Sequence, residues 1–320
     1  MALNFWQQLK QEKGDTAILA LAPLAGFTDS VFRSVCKDFG ADLVYSEMAS
    51  VSGLHYDSQK TLKLLEFQEK ERPYIVQLFG SNPEHFVSAV KFIEKELRPD
   101  GIDINFGCPV KKVLKQGAGS KLMSNLKLSR EIIQRVLDNT SLPLSIKVRT
   151  EAFSVTLIDF LKNIIDLPVS ALMIHGRTLN QLFSGPIDVE VIKQSRKYFS
   201  GIILANGGVK SLDEAQDLKK ETGVDGVGIG RGALGRPWVF SDQYINLSPL
   251  EEKELSFKVA LKHLKERQGK YGDISVNEFK GHLVWYFKDF PGAAELRSKL
   301  MLASTYDEME DILLYLFPQK

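Results

Sequence analysis

The sequence predicts an α/β fold, namely a (β/α)8 barrel (TIM barrel) followed by a small C-terminal domain made only of helices. Three observations lead to this prediction: eight short apolar runs alternate with stretches of helical period, polar residues follow most of the runs, and the alternation stops near position 238. The alternation spans roughly 240 residues, close to the ~250 that are typical of such a barrel.

The eight apolar runs are predicted to be the parallel strands of the barrel. They are shorter than ordinary helices, rich in Ile and Val, and mostly bounded by Gly or Pro, which favours buried strands over buried helices. The runs cover 17–23, 41–47, 73–79, 101–107, 143–149, 171–177, 201–208 and 226–232.

The stretch after the first run shows the pattern expected of a crossover helix. Four apolar residues occupy positions i, i+3, i+4 and i+7: Phe32, Val35, Cys36 and Phe39. Together they form one apolar face, as on a helix that packs against a sheet. Cys36 is therefore expected in the core. Since the chain has one other cysteine, Cys108, neither a disulfide framework nor a metal-ligand spacing is indicated, and we expect no metal site.

Polar residues and glycines cluster where the predicted strands end. In chain order they are Pro23, Glu47, Gln77, Asn105 with Cys108, Lys147 with Arg149, His175 with Arg177, Asn206, and Gly230 with Arg231. A hydrophobic core gives no reason for such residues at these positions. Because the active site of a barrel of this kind is built at the C-terminal ends of its strands, the sequence predicts an enzyme with its site there.

The run Asp103-Ile-Asn-Phe-Gly-Cys-Pro places a thiol just after the fourth strand. Gly107 and Pro109 flank Cys108, so the strand is expected to stop and to leave the thiol in a tight loop that a substrate can reach. No neighbouring base is evident in the sequence, and an ordinary thiol is mostly protonated at neutral pH, which suits an acid better than a nucleophile.

Composition indicates an ordinary globular protein. The 320 residues are 44% hydrophobic and 25% charged, enough for one large core and a small second domain. The N-terminal stretch has no apolar signal region, and no run of 18 uncharged apolar residues occurs, so a cytoplasmic location without a membrane span is expected. No protein partner is evident, and a monomer is expected.

The domain boundary is predicted between 245 and 246, giving a barrel over 1–245 and helices over 246–320. Ser248 and Pro249 can open a helix as N-cap and first residue. From Lys258 to Lys299 there are nine Lys or Arg against five Asp or Glu, with aromatic residues interleaved. This mixture suits nucleic-acid binding, but solvated helix faces over an aromatic core would give the same composition.

Glycine-rich turns after the last two strands predict a phosphate site. Gly230-Arg-Gly-Ala-Leu-Gly formally matches a dinucleotide-binding motif, but that motif belongs to the first turn of a βαβ unit, and here it follows the last strand. In a barrel, the loops after strands 7 and 8 commonly bind phosphate through backbone N–H groups. The run 206–208 (Asn-Gly-Gly) and Arg231 therefore indicate a ligand with a phosphate group.

Nearly the whole chain resembles the tRNA-dihydrouridine synthases, flavin mononucleotide (FMN) enzymes that reduce a uridine in tRNA. The matching motifs are LAPLAGFTD at 21–29, SEM at 46–48, VQLFG at 76–80, DINFGCPVKKV at 103–113, GAGSKLM at 117–123, KVR at 147–149, HGRT at 175–178, ANGGV at 205–209 and GIGRGALGRPW at 228–238. The segment 279–297 is similar to the helical domain of the bacterial B-type enzymes, which implies that 246–320 binds tRNA.

The resemblance also implies roles for individual residues. Cys108 would be the general acid, and Asn105, Arg149 and Arg177 would contact the substrate. The FMN-binding residues would be Pro23, Leu24, Ala25, Gln77, Lys147, His175, Asn206, Gly207, Gly208, Gly230 and Arg231. NADPH (or NADH) would be the reductant, docking at the same cleft in turn with tRNA, and uridine 17 would be the favoured position.

The chemistry needs a proton donor, because hydride addition at C6 of uracil leaves negative charge toward C5. The chain departs from the family pattern at Leu24, at Lys280-Gly281 and in the loop after Arg149, where the usual glycine and tryptophan are missing. Two alternatives stay open: an FMN barrel acting on a small molecule, such as a dihydroorotate-dehydrogenase-like enzyme or an ene-reductase, and a tRNA-binding chaperone.

Overall fold

The computed structural model describes residues 3–288 and 291–316, so positions 1–2, 289–290 and 317–320 of the two predicted domains lie outside the described residues. In chain order, strands β1 to β8 are Ile18–Leu21, Leu43–Tyr45, Tyr74–Phe79, Gly101–Asn105, Leu144–Arg149, Ala171–His175, Ile202–Asn206 and Gly226–Ile229. All are parallel, each pairs with the next along the chain, and β8 pairs with β1. The predicted closed barrel is confirmed.

Several strands are shorter than the predicted runs because the runs include the turns that follow. The predicted strand 201–208, for example, ends at Asn206, since Gly207 takes a φ of 134° that an extended strand does not allow. Two short additions extend the C-terminal end of the barrel. Ala49–Ser50 pairs with the end of β3, and a small antiparallel hairpin joins Glu151–Ala152 to Val155–Thr156.

Helices fill the connections between strands. Helices α1 to α11 are Phe5–Lys13, Ser30–Asp38, Val51–His55, Gln59–Lys63, Pro83–Phe92, Lys111–Leu114, Ser120–Met123, Leu126–Leu137, Leu157–Asn163, Val189–Ser195 and Leu212–Thr222. A π-turn at Ile93–Leu97 extends α5, and 3-10 turns lie at Glu69–Glu71, Arg231–Ala233, Pro237–Phe240, Asp242–Tyr244 and Asp273–Ser275. Cys36 is fully buried on α2, as predicted, whereas Phe39 is the capping residue just after that helix.

Apolar side chains fill the N-terminal end of the barrel. Trp6 of α1 is buried in one cluster with strand residues that include Ile18, Tyr45, Met173 and Leu204. Helix α1 therefore covers this end with apolar contacts, whose burial stabilises the barrel. The polar residues predicted at the strand ends lie at the other, C-terminal end, which leaves that end for chemistry.

Within residues 246–288 and 291–316, four further helices follow the barrel: α12 to α15 are Pro249–Tyr271, Val276–Tyr286, Ala293–Leu302 and Tyr306–Leu316. Ser248 caps α12 through a capping box with Glu251, and Pro249 is its first residue, as predicted. These helices share an apolar core with the barrel segment, to which Val35 of α2 and Trp238 contribute.

Part of the positive charge of α12 is paired with the barrel. Arg267 forms an ion pair with Asp29, the N-cap residue of α2, and Lys262 pairs with Asp38 at the other end of α2. Lys265 pairs with Glu310 of α15. The positive excess counted in the sequence is therefore partly neutralised by acidic residues that lie far away along the chain.

None of the helices in the described ranges is both long and apolar enough to cross a membrane.

Candidate active site

The predicted site residues converge on the C-terminal end of the barrel. Asn105, Arg149, His175 and Asn206 are the last residues of β4, β5, β6 and β7. The strands bring them into lateral register: Asn105 is paired with Lys147, and Arg149 and Asn206 both with His175. The remaining predicted residues lie inside the strands or in the turns directly after them: Pro23, Leu24, Ala25, Gln77, Cys108, Arg177, Gly207, Gly208, Gly230 and Arg231.

A buried polar chain connects β3, β4 and β5 inside the barrel. The Gln77 amide donates to Asp103 at 2.8 Å and accepts from the Asn105 amide at 2.8 Å, while the Ser145 hydroxyl donates to Asp103 at 2.7 Å. Because a carboxylate only accepts, Asp103 fixes which end of the Gln77 amide faces Asn105. The chain therefore has one defined direction, from the carboxylate toward the end of β4.

Asp103 is a residue to which the sequence reasoning assigned no role. It is fully buried, and this burial raises its pKa to about 6, although the hydrogen bonds from Gln77 and Ser145 oppose the rise. The available signal was an acidic residue inside an otherwise apolar strand, two positions before Asn105 and hence on the same face.

The amide of Asn105 organises the loop that contains Cys108. Its Oδ1 accepts from the backbone N–H groups of Gly107 and Cys108, at 3.0 and 2.9 Å. Cys108 is 9% exposed, because the chain folds back over the loop and Ser120 N donates to the Cys108 carbonyl at 3.1 Å. Burial raises the pKa of the thiol, which keeps it protonated at neutral pH.

Four cationic side chains share the mouth of the barrel: Lys147, Arg149, Arg177 and Arg231. Among the residues that the structure describes, none of the four is in an ion pair with a carboxylate. They bond to carbonyl or amide oxygens instead, as Arg149 does to Gly107 and Lys147 to Asn206, at 2.8 and 3.3 Å.

These positive charges depress the pKa values of the groups among them. Burial, followed by the charges of Lys147 and the three arginines, lowers the pKa of His175 to about 2. Burial and the neighbouring Arg149 lower the pKa of Lys147 to about 8. His175 is therefore neutral at neutral pH, and the surplus of positive charge favours an anionic ligand.

The turns after β7 and β8 present backbone where a phosphate could lie. Gly207 and Gly208 both have positive φ, at 134° and 85°, and a Cβ built on Gly208 would lie 3.8 Å from Nη2 of Arg177. Only glycine adopts these conformations readily, so the chain here combines exposed N–H groups with a nearby guanidinium. This cradle and the unpaired cations fit an FMN phosphate.

The loop after β1 borders this cradle. Leu24 packs close to Gly230, since a Cβ added to that glycine would lie 3.5 Å from the leucine side chain. Pro23 and Leu24 are partly buried and Ala25 is exposed, so the three residues offer an apolar edge to the mouth. Gly26 N donates to the carboxylate of Glu47, which ties this loop to the end of β2.

Phe183 is a further mouth residue without an assigned role. Its ring lies 4.9 Å from the guanidinium carbon of Arg231 and 6.2 Å from the ring of His175. Its position on a long loop, after the strand that ends at His175, offered no periodic pattern by which the sequence could place it. The Phe183 ring thus contacts Arg231 and lies near His175, two side chains that are predicted to bind the ligand.

Comparisons with solved structures support the fold. The old yellow enzyme homologue from Zymomonas mobilis superposes with a TM-score of 0.50 at 13% identity, covering 69% of this chain and 86% of that chain. A 2-naphthoyl-CoA reductase complex gives a TM-score of 0.53 at 12% identity, over 70% of this chain and 49% of that chain. At such low identity the likeness concerns the barrel fold alone.

Sequence comparisons identify the family. A protein similar to this chain is tRNA-dihydrouridine synthase B of Pseudomonas aeruginosa, 34% identical over 88% of this chain and 87% of that protein. Another tRNA-dihydrouridine synthase B, from Shewanella oneidensis, is 34% identical over 94% of this chain and 95% of that protein. A probable tRNA-dihydrouridine synthase of Aquifex aeolicus is 33% identical over 90% of this chain and 92% of that protein. The dihydrouridine synthase (Dus) model matches residues 20–318. The chain thus belongs to the dihydrouridine synthase family.

Proposed function

We propose that this enzyme reduces the C5=C6 bond of a specific uridine in tRNA to 5,6-dihydrouridine, with bound FMN, NADPH (or NADH) as the source of electrons, and Cys108 as the proton donor. The observation on which the proposal depends most is the position of a protonated thiol at the mouth of the barrel, on the loop that Asn105 organises. Family membership supports the same reaction.

The residues around the mouth suit FMN. Pro23, Leu24 and Ala25 would line the flavin ring, with Gln77, Lys147 and His175 toward its polar edge, and the phosphate would lie on Asn206, Gly207, Gly208, Gly230 and Arg231. When bound, FMN supplies hydride, which the uracil accepts at C6. A neutral His175 is useful here, because it can accept as well as donate a hydrogen bond among cations.

Cys108 would complete the reduction by giving its proton to C5 of the uracil. A raised thiol pKa favours the protonated form that an acid needs before each turnover. Arg149 and Arg177 would orient the uracil through its carbonyl oxygens, and Asn105 would contact its edge. Since Asn105 also binds the backbone of Cys108, one side chain would fix both reaction partners.

A uridine within a folded tRNA is stacked, so it must leave the stack to reach a site inside a barrel mouth. We propose that the helices over 246–320 bind tRNA and stabilise this state, in the cytoplasm, where tRNA is modified. We propose that the protein acts as a monomer. Uridine 17 is the proposed position, from the likeness to the B-type enzymes.

The experiment is nucleoside mass spectrometry of tRNA from cells that lack dihydrouridine, after incubation with the purified protein and NADPH. New dihydrouridine is the expected result, and fragment mapping of the same sample tests position 17. No product from a protein shown to contain FMN would contradict the proposal and favour reduction of a small molecule.

A further inference from the structure

The segment that follows β4 is strongly basic. Positions 104–130 contain five Lys, one Arg and no Asp or Glu. Four of the lysines lie on α6, α7 and their connection, and all four are exposed: Lys111, Lys112, Lys115 and Lys121. Across residues 3–288 and 291–316, none of these ammonium groups is within ion-pair distance of a carboxylate. We call residues 111–121, which contain these four lysines, the basic segment.

The basic segment is packed directly on the proposed acid. Val113 and Ala118 are buried against Cys108 in one small apolar cluster, to which Met48 and Phe79 add partly buried contacts. A Cβ built on Gly119 would lie 2.8 Å from the Cys108 carbonyl, so the chain approaches very closely there. The apolar side of the segment thus covers the thiol, and its lysines face solvent beside the mouth.

An aromatic side chain stands next to these lysines. Phe153 is at the tip of the hairpin after β5 and is 46% exposed. It has a φ of 57°, a conformation that is costly for a bulky residue. Nζ of Lys121 lies 4.5 Å from the centre of the ring. The hairpin therefore holds a flat apolar face in solvent, beside a cation, at the edge of the mouth.

The C-terminal helices present a different balance of charge. Several of their cations already have partners, among them Arg267 with Asp29, Lys262 with Asp38 and Lys265 with Glu310. A cation that is already paired with a carboxylate contributes less to the neutralisation of RNA phosphates than an unpaired one. The basic segment contains no acidic residue and its four lysines are in no ion pair within the described residues, so its whole charge is available to a polyanion.

We infer that the basic segment and Phe153 form one RNA-binding surface, on which the lysines contact backbone phosphates and the Phe153 ring stacks on an unpaired base near the target uridine. Single-stranded RNA is recognised in this way by cations that follow the backbone and by aromatic rings that stack on bases. The inference rests on the proposed tRNA substrate and adds a second surface, on the barrel, to the one proposed for residues 246–320.

The lysine contribution is tested by the salt dependence of binding to tRNA that lacks dihydrouridine. Replacing Lys111, Lys112 and Lys115 together by Ala should lower the slope of log Kd against log salt by about 2, since each lost phosphate contact reduces it by about 0.7. Arginine at the same three positions should keep the slope.

A matched control removes three exposed lysines from the opposite end of the barrel. Lys91, Lys193 and Lys220 lie in the last turns of α5, α10 and α11, which return the chain to the N-terminal ends of the strands. Their replacement by Ala removes the same charge from the protein and should leave the slope unchanged. Equal slopes for the two alanine triples would overturn the inference.

Phe153 is tested separately, because stacking and charge respond differently to salt. Phe153→Ala should weaken tRNA binding roughly tenfold at every salt concentration without changing the slope, as expected for the loss of one stacked base. Phe153→Trp should restore the affinity. If Phe153→Ala binds tRNA with wild-type affinity, Phe153 is not part of the RNA-binding surface.

The wild-type protein separates the two proposals. If it binds tRNA and forms dihydrouridine while the Lys111, Lys112 and Lys115 variant keeps the full salt slope, the proposed function stands and the inferred surface is wrong. If the wild type neither binds tRNA nor forms dihydrouridine, both are wrong.

Discussion

At the scale of single residues, the main feature is the contrast between Cys108 and Lys147. Cys108 is buried and Lys147 partly buried at the mouth of the barrel, and removal from water favours the neutral form of each. For the thiol this means a raised pKa and a retained proton, and for the amine a pKa lowered to about 8. One environment thus keeps the proposed acid protonated and gives a cation that loses its proton as the pH rises through about 8.

Removing the thiol should separate binding from chemistry. We expect Cys108→Ala to keep bound FMN and tRNA affinity, because Ala keeps the backbone N–H that donates to Asn105, and to lose dihydrouridine formation by roughly 100-fold or more, the usual contribution of a general acid. Flavin absorbance, tRNA binding and nucleoside mass spectrometry on one preparation check this. Full activity would exclude the acid role.

The pKa of Lys147 predicts how FMN binding depends on pH. Its pKa in the ligand-free protein is lowered to about 8, so the positive charge is present below that pH and is lost as the pH rises through it. FMN affinity should therefore fall between about pH 7 and about pH 9. Titration of the apoprotein by flavin fluorescence measures it. In Lys147→Met the FMN affinity should be lower and should not change between about pH 7 and about pH 9. If the variant shows the same pH dependence as the wild type, a group other than Lys147 is responsible.

Asp103 should act on Cys108 through the amide chain. Gln77 and Ser145 both donate hydrogen bonds to the carboxylate of Asp103. In Asp103→Asn the new amide hydrogens face one of these two donors, so the Gln77 amide is no longer fixed in one direction. Asn105 then loses the Gln77 oxygen that accepts its hydrogen bond. We expect dihydrouridine formation to fall by roughly tenfold while FMN remains bound, because misplacing a catalytic loop slightly is enough for such a loss. Ser145→Ala, which removes one donor and keeps the carboxylate, should have a smaller effect on kcat. An equal loss in both variants would indicate general damage to the core.

At the scale of elements, α2 joins the barrel to the C-terminal helices. Its N-cap, Asp29, lies at the end of the loop that follows β1, and it accepts from the side chain of Arg267 on α12. Nε2 of His282 on α13 lies 3.5 Å from the same carboxylate. Although burial opposes ionisation, His282 and Arg267 hold the pKa of Asp29 well below its usual range. The loop that would line the flavin is thereby attached to both helices.

Breaking this contact should cost much more stability than breaking an exposed one. Arg267 is 2% exposed, so Arg267→Met leaves the partly buried carboxylate of Asp29 without its cation and should lower the free energy of unfolding by about 3 kcal/mol. Lys265→Met, which removes an exposed pair with Glu310, should cost less than about 1 kcal/mol. Denaturant unfolding of both variants tests this. Comparable losses of unfolding free energy in the two variants would mean that the Arg267–Asp29 contact stabilises the fold no more than the exposed pair does.

The ionised form of Asp29 also predicts a dependence on acid. Because its folded pKa lies below the unfolded value, its contribution is complete above about pH 4 and is lost as the pH falls further. The stability difference between wild type and Arg267→Met should therefore shrink in acid. A difference that is independent of pH would assign the loss to packing rather than to charge.

At the scale of the whole molecule, lysines lie in two regions that we propose to contact tRNA. The basic segment packs on Cys108, and the C-terminal helices hold α2 and the loop after β1. A tRNA that spans both regions would lose contacts in each independently. Neutralising the basic segment together with Lys258, Lys280 and Lys288 of the C-terminal region should lower the salt slope by the sum of the separate effects, because distant sites add. Salt titrations of the two sets and their combination test this; a combined effect no larger than either would place the RNA on one region.

The sequence by itself determined the barrel, the order of its strands and the end of the barrel at which the candidate site residues come together. Alternation of apolar runs with helical stretches is a local pattern, and parallel pairing then brings every strand end to one edge. Asn105, Arg149, His175 and Asn206 could therefore be placed together without coordinates. The start of α12 at Ser248 and Pro249 was predictable for the same reason, since capping depends on neighbouring residues.

Only the tertiary structure decided which side chains are buried, which charges are paired and which titratable groups lie close enough to shift one another's pKa. Nothing near Arg267 in sequence indicates Asp29, more than 200 positions away, and nothing in the loop of Cys108 indicates that residues up to 120 fold back over its thiol. Asp103 gained its role only when β3 and β5 came to lie on either side of it. Periodicity specifies an element and the face it buries, but partners that are distant along the chain become neighbours only through the packing of all elements together.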